Sequence, residues 1–220
     1  MPYVKRTLQE LLNRDDPAWP LIEGWIAEAT HPVEVLSPAE DAAESLVSIQ
    51  VTTRSPLGAI VFQTGGLLID QGWLRLLGSG HPRLPRSLPA WNSSCGLLES
   101  EVPPPCLLIA DDVLGGFFAL NGGRFAREGH TVWYFAPDTL AWEDTEKGYT
   151  DFLHWCLKGD IDRFYSPYRW SGWRVETAAL GSDQAFSIVP PLFTEGPSIE
   201  ERSRRAVPLK ELFELYVGTV

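Results

Sequence analysis

The chain is poor in the residues from which most reactive motifs are built. Its three cysteines, Cys95, Cys106 and Cys156, are far apart and form no CxxC. That spacing argues against a disulfide framework and suits free thiols packed in a reducing compartment. Four histidines, His31, His81, His130 and His154, show neither HxH nor HExxH spacing, so no sequence-local zinc site is present and neither metal nor cofactor is expected. There is no GxSxG, and Ser79 two residues from His81 is not thereby oriented as nucleophile and base. Lys and Arg number 18 against 29 Asp and Glu, a net charge of -11, which repels a phosphate backbone and excludes nucleic acid as the expected partner. No apolar run approaches the roughly 20 residues needed to cross a bilayer. The opening MPYVKRTLQELL also lacks a signal-peptide core, so a cytoplasmic protein without membrane association is expected.

Aromatic residues are abundant instead: nine Trp, ten Phe and six Tyr in 220 residues, with 44% hydrophobic content. This is the composition of a folded chain with a substantial core, expected as a single domain over residues 1–220. Thr7 and Glu10 have capping-box spacing before a short helix. Asp16 and Pro17 open a helix over 17–29, and Ser37, Pro38 and Glu40 open a third after the extended VEVL. Ser55 and Pro56 start a fourth helix, favoured over a strand in GAIVFQ, with Gly65 and Gly66 available to end it. LLID and WLRLLG read as a hairpin; CLLIA, GFFALN and TVWYFA follow as strands. After Pro137 the pattern turns helical, with Thr150 capping a helix that buries Phe152, Leu153, Cys156 and Leu157 and ends at Gly159. Asp160 begins a short helical turn, AFSIVP is a strand, and LKELFELYV closes as an amphipathic helix. The fold class is α+β, an antiparallel meander sheet flanked by helices.

Three stretches carry the functional question. In CLLIADDVLGGFFALNGG, Asp111 and Asp112 are adjacent, so on a strand they face opposite ways and do not share a substrate. Its glycines lack the order of a phosphate-binding loop and suit turns instead. Residues 78–105, with HPRLPRSLPAWN at their centre, read as a long surface loop in which His81, Arg83, Trp91 and Asn92 are binding candidates. Residues 138–162 hold Asp138, Glu143, Asp144, Glu146, Asp151, Asp160 and Asp162 against Lys147 and Lys158. With Trp142 and Tyr149 interleaved, they could face a basic partner, although a solvated helix face explains the same charges. YRWSGWR, 168–174, brings two Arg and two Trp within stacking reach, as an internal clamp would.

The order SPLGAIVFQTGG, LLID with WLRLLG, LLIADDVLGGFFAL, TVWYFAPDTLAWE and YTDFLHWCL resembles the bacterial SUKH superfamily over about residues 55–158. More narrowly, the GHPRLPRSLPAWN loop and APDTLAWE segment resemble an uncharacterised bacterial domain-of-unknown-function family. The SUKH resemblance implies a non-enzymatic binding domain of the toxin-immunity kind, with a helical part at 1–54 and an extension at 159–220. No catalytic residues carry over. The leading expectation is therefore a protein that binds a basic protein partner, such as a toxin, through Asp111, Asp112, Asp138, Trp142, Glu143, Asp144, Glu146 and Tyr149. The rival is a small-molecule or sugar-processing enzyme with Asp111, Asp112, Asp138 and Trp91 around a cleft, and a third reading is a self-associating structural protein.

Overall fold

In a computed structural model, residues 5–98, 104–125 and 129–218 are described. Seven strands form one antiparallel sheet in sequence order: β1 (Val33–Leu36), β2 (Gly66–Ile69), β3 (Leu74–Leu77), β4 (Cys106–Asp112), β5 (Phe117–Asn121), β6 (Thr131–Ala136) and β7 (Ala141–Gly148). Each strand pairs only with its neighbours in the chain, the meander that short turns impose. Strands β2 to β4 are buried at every position. Both faces are covered, which is why they read as continuous apolar runs instead of alternating ones.

The expected helices form, α1 (Leu8–Leu11) and α4 (Pro56–Gln63) at their expected starts and α2 (Trp19–Ala27) and α3 (Ala42–Ile49) two or more residues later. The Glu10 carboxylate accepts from the Thr7 amide and hydroxyl, and the Ser55 hydroxyl accepts from the Gly58 amide. Helix α4 is central, touching α2, α3 and α6 (Tyr149–Lys158). A Cβ on Gly58 would stand 2.2 Å from the Thr52 carbonyl oxygen, so only glycine allows this approach. Gly65 and Gly66 do not cap α4 as expected. Thr64 leaves the helix extended, and Gly66, at φ 138°, turns the chain into β2.

Two expectations are corrected. Residues 78–105 are not one loop, because Ser87 caps α5 (Leu88–Ser94) by accepting from the Ala90 amide and Pro89 sits in its first turn. Residues 99–103, within the same expected loop, lie outside the described residues, as do 126–128 of the Gly-rich connection between β5 and β6. The acidic stretch after Pro137 is not helical up to Gly148; it is β7, the sheet's outer strand. An edge strand needs only one partner and tolerates charges, so its sequence carries no apolar stripe.

Beyond α6 the chain forms α7 (Ile161–Tyr165), a 3₁₀ turn (Ser166–Tyr168), α8 (Trp173–Ala179), a separate hairpin of β8 (Gln184–Val189) and β9 (Ser203–Pro208), and α9 (Leu209–Tyr216). The hairpin is tied to the sheet where the Phe186 amide donates to Val113 O at 2.7 Å. Phe213 of α9 meets the rings of Phe117 on β5 and Trp91 on α5. No helix among the described residues is long and apolar enough to cross a membrane.

Candidate functional site

The carboxylate pair occupies the end of β4. As strand alternation demands, its two members go to different neighbours. Arg75 Nε lies 2.6 Å from Asp111 Oδ1, and Arg86 Nη1 donates to Asp111 Oδ2 at 2.6 Å. Arg75 also donates to the carbonyls of Gln184 and Asp112, and Arg86 to that of Ser182. Asp112 closes the hairpin: its Oδ1 accepts from the Leu114 and Gly116 amides, each at 2.9 Å, and its Oδ2 from the hydroxyls of Tyr134 and Tyr165. Burial pushes the Asp112 carboxyl up, against the pull of these four hydrogen bonds. Both aspartates are 0% exposed, so the expectation that they touch a partner is corrected. Every oxygen is used internally.

A second buried charge lies at the β2–β3 turn. Asp70 Oδ2 accepts from Arg169 Nη2 at 2.6 Å, and Arg169 also pairs with Asp162. The guanidinium stacks over Trp173 at 4.1 Å and Trp73 at 5.0 Å, so the clamp read in YRWSGWR forms. His31, Asp70 and Asp162 bring ligand atoms within 4.8 Å of one another. The positive charge of that cluster is already supplied by Arg169, whose two terminal nitrogens bridge the carboxylates.

The third constellation is open to solvent. Phe118, Tyr134, Phe152, Trp155 and Phe164 floor a cavity of about 240 Å³, and Glu143, Asp144, Thr145 and Lys147 of β7 rim it. Phe152 and Trp155 lie on one turn of α6; Phe164, 41% exposed, stands between Trp155 and Tyr134 at 5.2 and 5.4 Å. The rim is lifted by a bulge: between Thr131 paired with Gly148 and Trp133 paired with Asp144, β7 is longer than β6. Bulges re-aim side chains in this way, and Glu146 accommodates it at φ 59°. Glu143 accepts from the Thr139 hydroxyl and Asp144 from the Glu146 amide, while the Lys147 ammonium donates to Thr145 O. An aromatic floor with carboxylates at its lip is chemistry for a cation.

Of the remaining predicted contact residues, Trp142 packs half-buried on Phe125 and Phe135. Asp138 accepts from the Tyr168 hydroxyl. Tyr149 is buried, which pushes its hydroxyl's pKa up, and it cannot serve as a surface anchor. Trp91 and Asn92 are core residues, not loop contacts. The Asn92 amide pairs with both backbone groups of Leu108, replacing a missing strand neighbour. His81 accepts from the Arg83 amide, and Arg83 reaches Glu34 at the surface. Asp111, Asp112, Asp138 and Trp91, the rival enzyme's set, line none of the cavities of about 400, 240, 210 and 700 Å³ in the described residues. The aromatic floor itself was missed, because its five rings come from four elements and each alone reads as core.

Comparison with known proteins gives a family and two relatives. The model described as "Protein of unknown function DUF2625" matches residues 8–212. The uncharacterized protein YbfG of Escherichia coli K12 is 46% identical over 211 residues, covering 96% of this chain and 95% of that protein. An uncharacterized protein of Haemophilus influenzae Rd is 38% identical over 211 residues, covering 95% and 92%. No solved structure matches the chain.

Proposed function

Because the chain belongs to the DUF2625 family, whose description names no activity, we propose from the site alone that it is a non-enzymatic, cytoplasmic protein-binding domain. The pocket beside β7 takes an arginine or lysine side chain from a basic protein partner. The observation carrying this reading is the aromatic floor rimmed by Glu143 and Asp144. A cation over such rings gains about 0.5–2 kcal/mol, more as it is desolvated, and the surrounding acidic charge steers a basic surface toward it. Anchors of this kind, one long side chain in a fitted pocket, dominate protein interfaces. The likeness of LLIADDVLGGFFAL and TVWYFAPDTLAWE to the SUKH superfamily suggests a toxin as that partner, and an immunity role for the chain.

The test uses an arginine-rich peptide, with the indole N–H resonance of Trp155 as reporter. Saturable shifts of that resonance are expected, weakening with salt. The triple reversal Glu143→Lys, Asp144→Lys and Glu146→Lys should lower affinity about tenfold or more, as should Phe164→Ala. Binding that persists unchanged in both variants rejects the pocket as the contact.

A further inference from the structure

The extension from α8 onward closes a cleft against the opposite end of the sheet. It has a volume of about 400 Å³ and is walled by Leu68, the β2–β3 turn, β3, the 82–85 segment, α8 and residues 180–183. A smaller cavity of about 210 Å³ adjoins it, sharing Leu68, Gln71, Gly72, Arg83 and Ala178. Pockets for small ligands have this size and lie, as here, where separate parts of a chain meet.

Two buried polar groups on the wall of the larger cleft are under-used. Thr177 is 3% exposed, and its hydroxyl has no hydrogen-bond partner among the described residues. A helical threonine ordinarily returns its hydroxyl to the carbonyl one turn back; this one does not, and a buried hydroxyl left unmet is costly. Arg75, 1% exposed, spends one N–H of each terminal nitrogen on Gln184 O and Asp112 O and sets Nε against Asp111. Among the described residues these are its hydrogen bonds, so each terminal nitrogen keeps a second N–H to donate. Arg83, Gln71, Ser182 and Asp183 also line the cleft. The Ser182 hydroxyl is spent on the Arg83 carbonyl.

We propose that this cleft binds a small organic anion, a carboxylate or phosphate ester, with its anionic oxygens on the Arg75 guanidinium and the Thr177 hydroxyl. An acceptor-rich group satisfies spare donors of both kinds at once, and a charged acceptor gains about twice what a neutral one does. Asp183 opposes a second negative charge, so the far end of the ligand carries hydroxyl or amino groups. Arg83, already paired with Glu34 at the surface, adds positive field at the mouth. The site is independent of the aromatic pocket and shares no residue with it.

The test is titration of the full chain with glycerate, glycerol phosphate and glycerol, followed by backbone amide shifts. Saturable millimolar or tighter binding of at least one anion is expected, with shifts at Thr177, Gly181 and Ser182 and none from glycerol. Preference between glycerate and glycerol phosphate identifies the anion as carboxylate or phosphate. Thr177→Val, which removes only the hydroxyl and keeps the shape, should weaken binding about tenfold, and Arg83→Gln should weaken it less. Failure of both anions to bind, equal shifts from glycerol, or unchanged affinity in Thr177→Val overturns the proposal.

Discussion

Asp112 shows how one residue can carry a turn and a pH dependence together. Its side chain takes two amides of the hairpin and two tyrosine hydroxyls while 0% exposed. Gly116 is required beside it, since a Cβ there would stand 2.4 Å from Asp112 Oδ2 and 2.5 Å from the Tyr134 hydroxyl oxygen. Burial raises the carboxyl above its unfolded value. The sign follows from linkage: the folded state holds the proton more tightly, so the stabilisation is full below the unfolded pKa of ~3.9 and is lost as pH rises through the folded value. An asparagine side chain in its place has no such proton to lose; its oxygen keeps both amides, and its NH₂ can donate to both tyrosine oxygens. Asp112→Asn should therefore gain stability relative to the native chain as pH rises above about 4. Urea melts at several pH values measure it, and a difference that is flat or grows toward acid contradicts the assignment.

Among the elements, the β2–β3 turn departs furthest from local preference. Asp70 at φ 52°, Gln71 at 63° and Gly72 at 80° form a left-handed run. Asp and Gly suit it, but Gln does not: an ordinary L-residue there costs roughly 1–2 kcal/mol. Gln71 borders both connected cavities, a place where strain and ligand contact often coincide. Gln71→Gly should stabilise the fold by about 1 kcal/mol in thermal or urea unfolding; loss of stability would show the turn to be unstrained. Much of this level was legible in the sequence. Period-two and continuous apolar runs marked β2 to β6, and the Ser-Pro start marked α4, because local chemistry and burial agree there. Strand β7 was not legible, since an edge strand carries charge for solubility and lacks a periodic apolar face. Helix α5 had a Ser-Leu-Pro start signal, obscured by the surrounding Gly, Pro and Ser. The acidic rim was legible as charge; its aromatic floor depends on pairings between distant segments that no local pattern encodes.

For the whole molecule, the question is whether the sheet and the segment after α6 are separable. Were residues 55–158 a self-standing unit, 160–218 would be an appendage, yet that segment completes the buried polar contacts of the sheet. Tyr165 donates to Asp112 at 3.1 Å, Gln184 O accepts from Arg75 at 2.6 Å, Ser182 O accepts from Arg86 at 2.7 Å, and Arg169 pairs with Asp70 at 2.6 Å. Trp170 and Trp173 cover Trp73, which is 0% exposed. Removing one partner of a buried ion pair costs roughly 3–5 kcal/mol, whereas a whole domain is stable by only about 5–15 kcal/mol. Losing Arg169 together with the three hydrogen-bond partners, each leaving a buried group unmet at a cost of about 1–3 kcal/mol, is comparable to that reserve. The full chain should thus unfold in one step, with tryptophan fluorescence and far-ultraviolet circular dichroism tracing the same transition. A chain ended after Lys158 should show no cooperative transition, because Asp70 then loses Arg169, and Arg75 and Arg86, although they keep Asp111, lose the Gln184 and Ser182 carbonyls that their buried N–H groups donate to. A truncated chain that kept a sharp melt would show that the sheet stands without its extension, and that these buried polar contacts are not what joins the two.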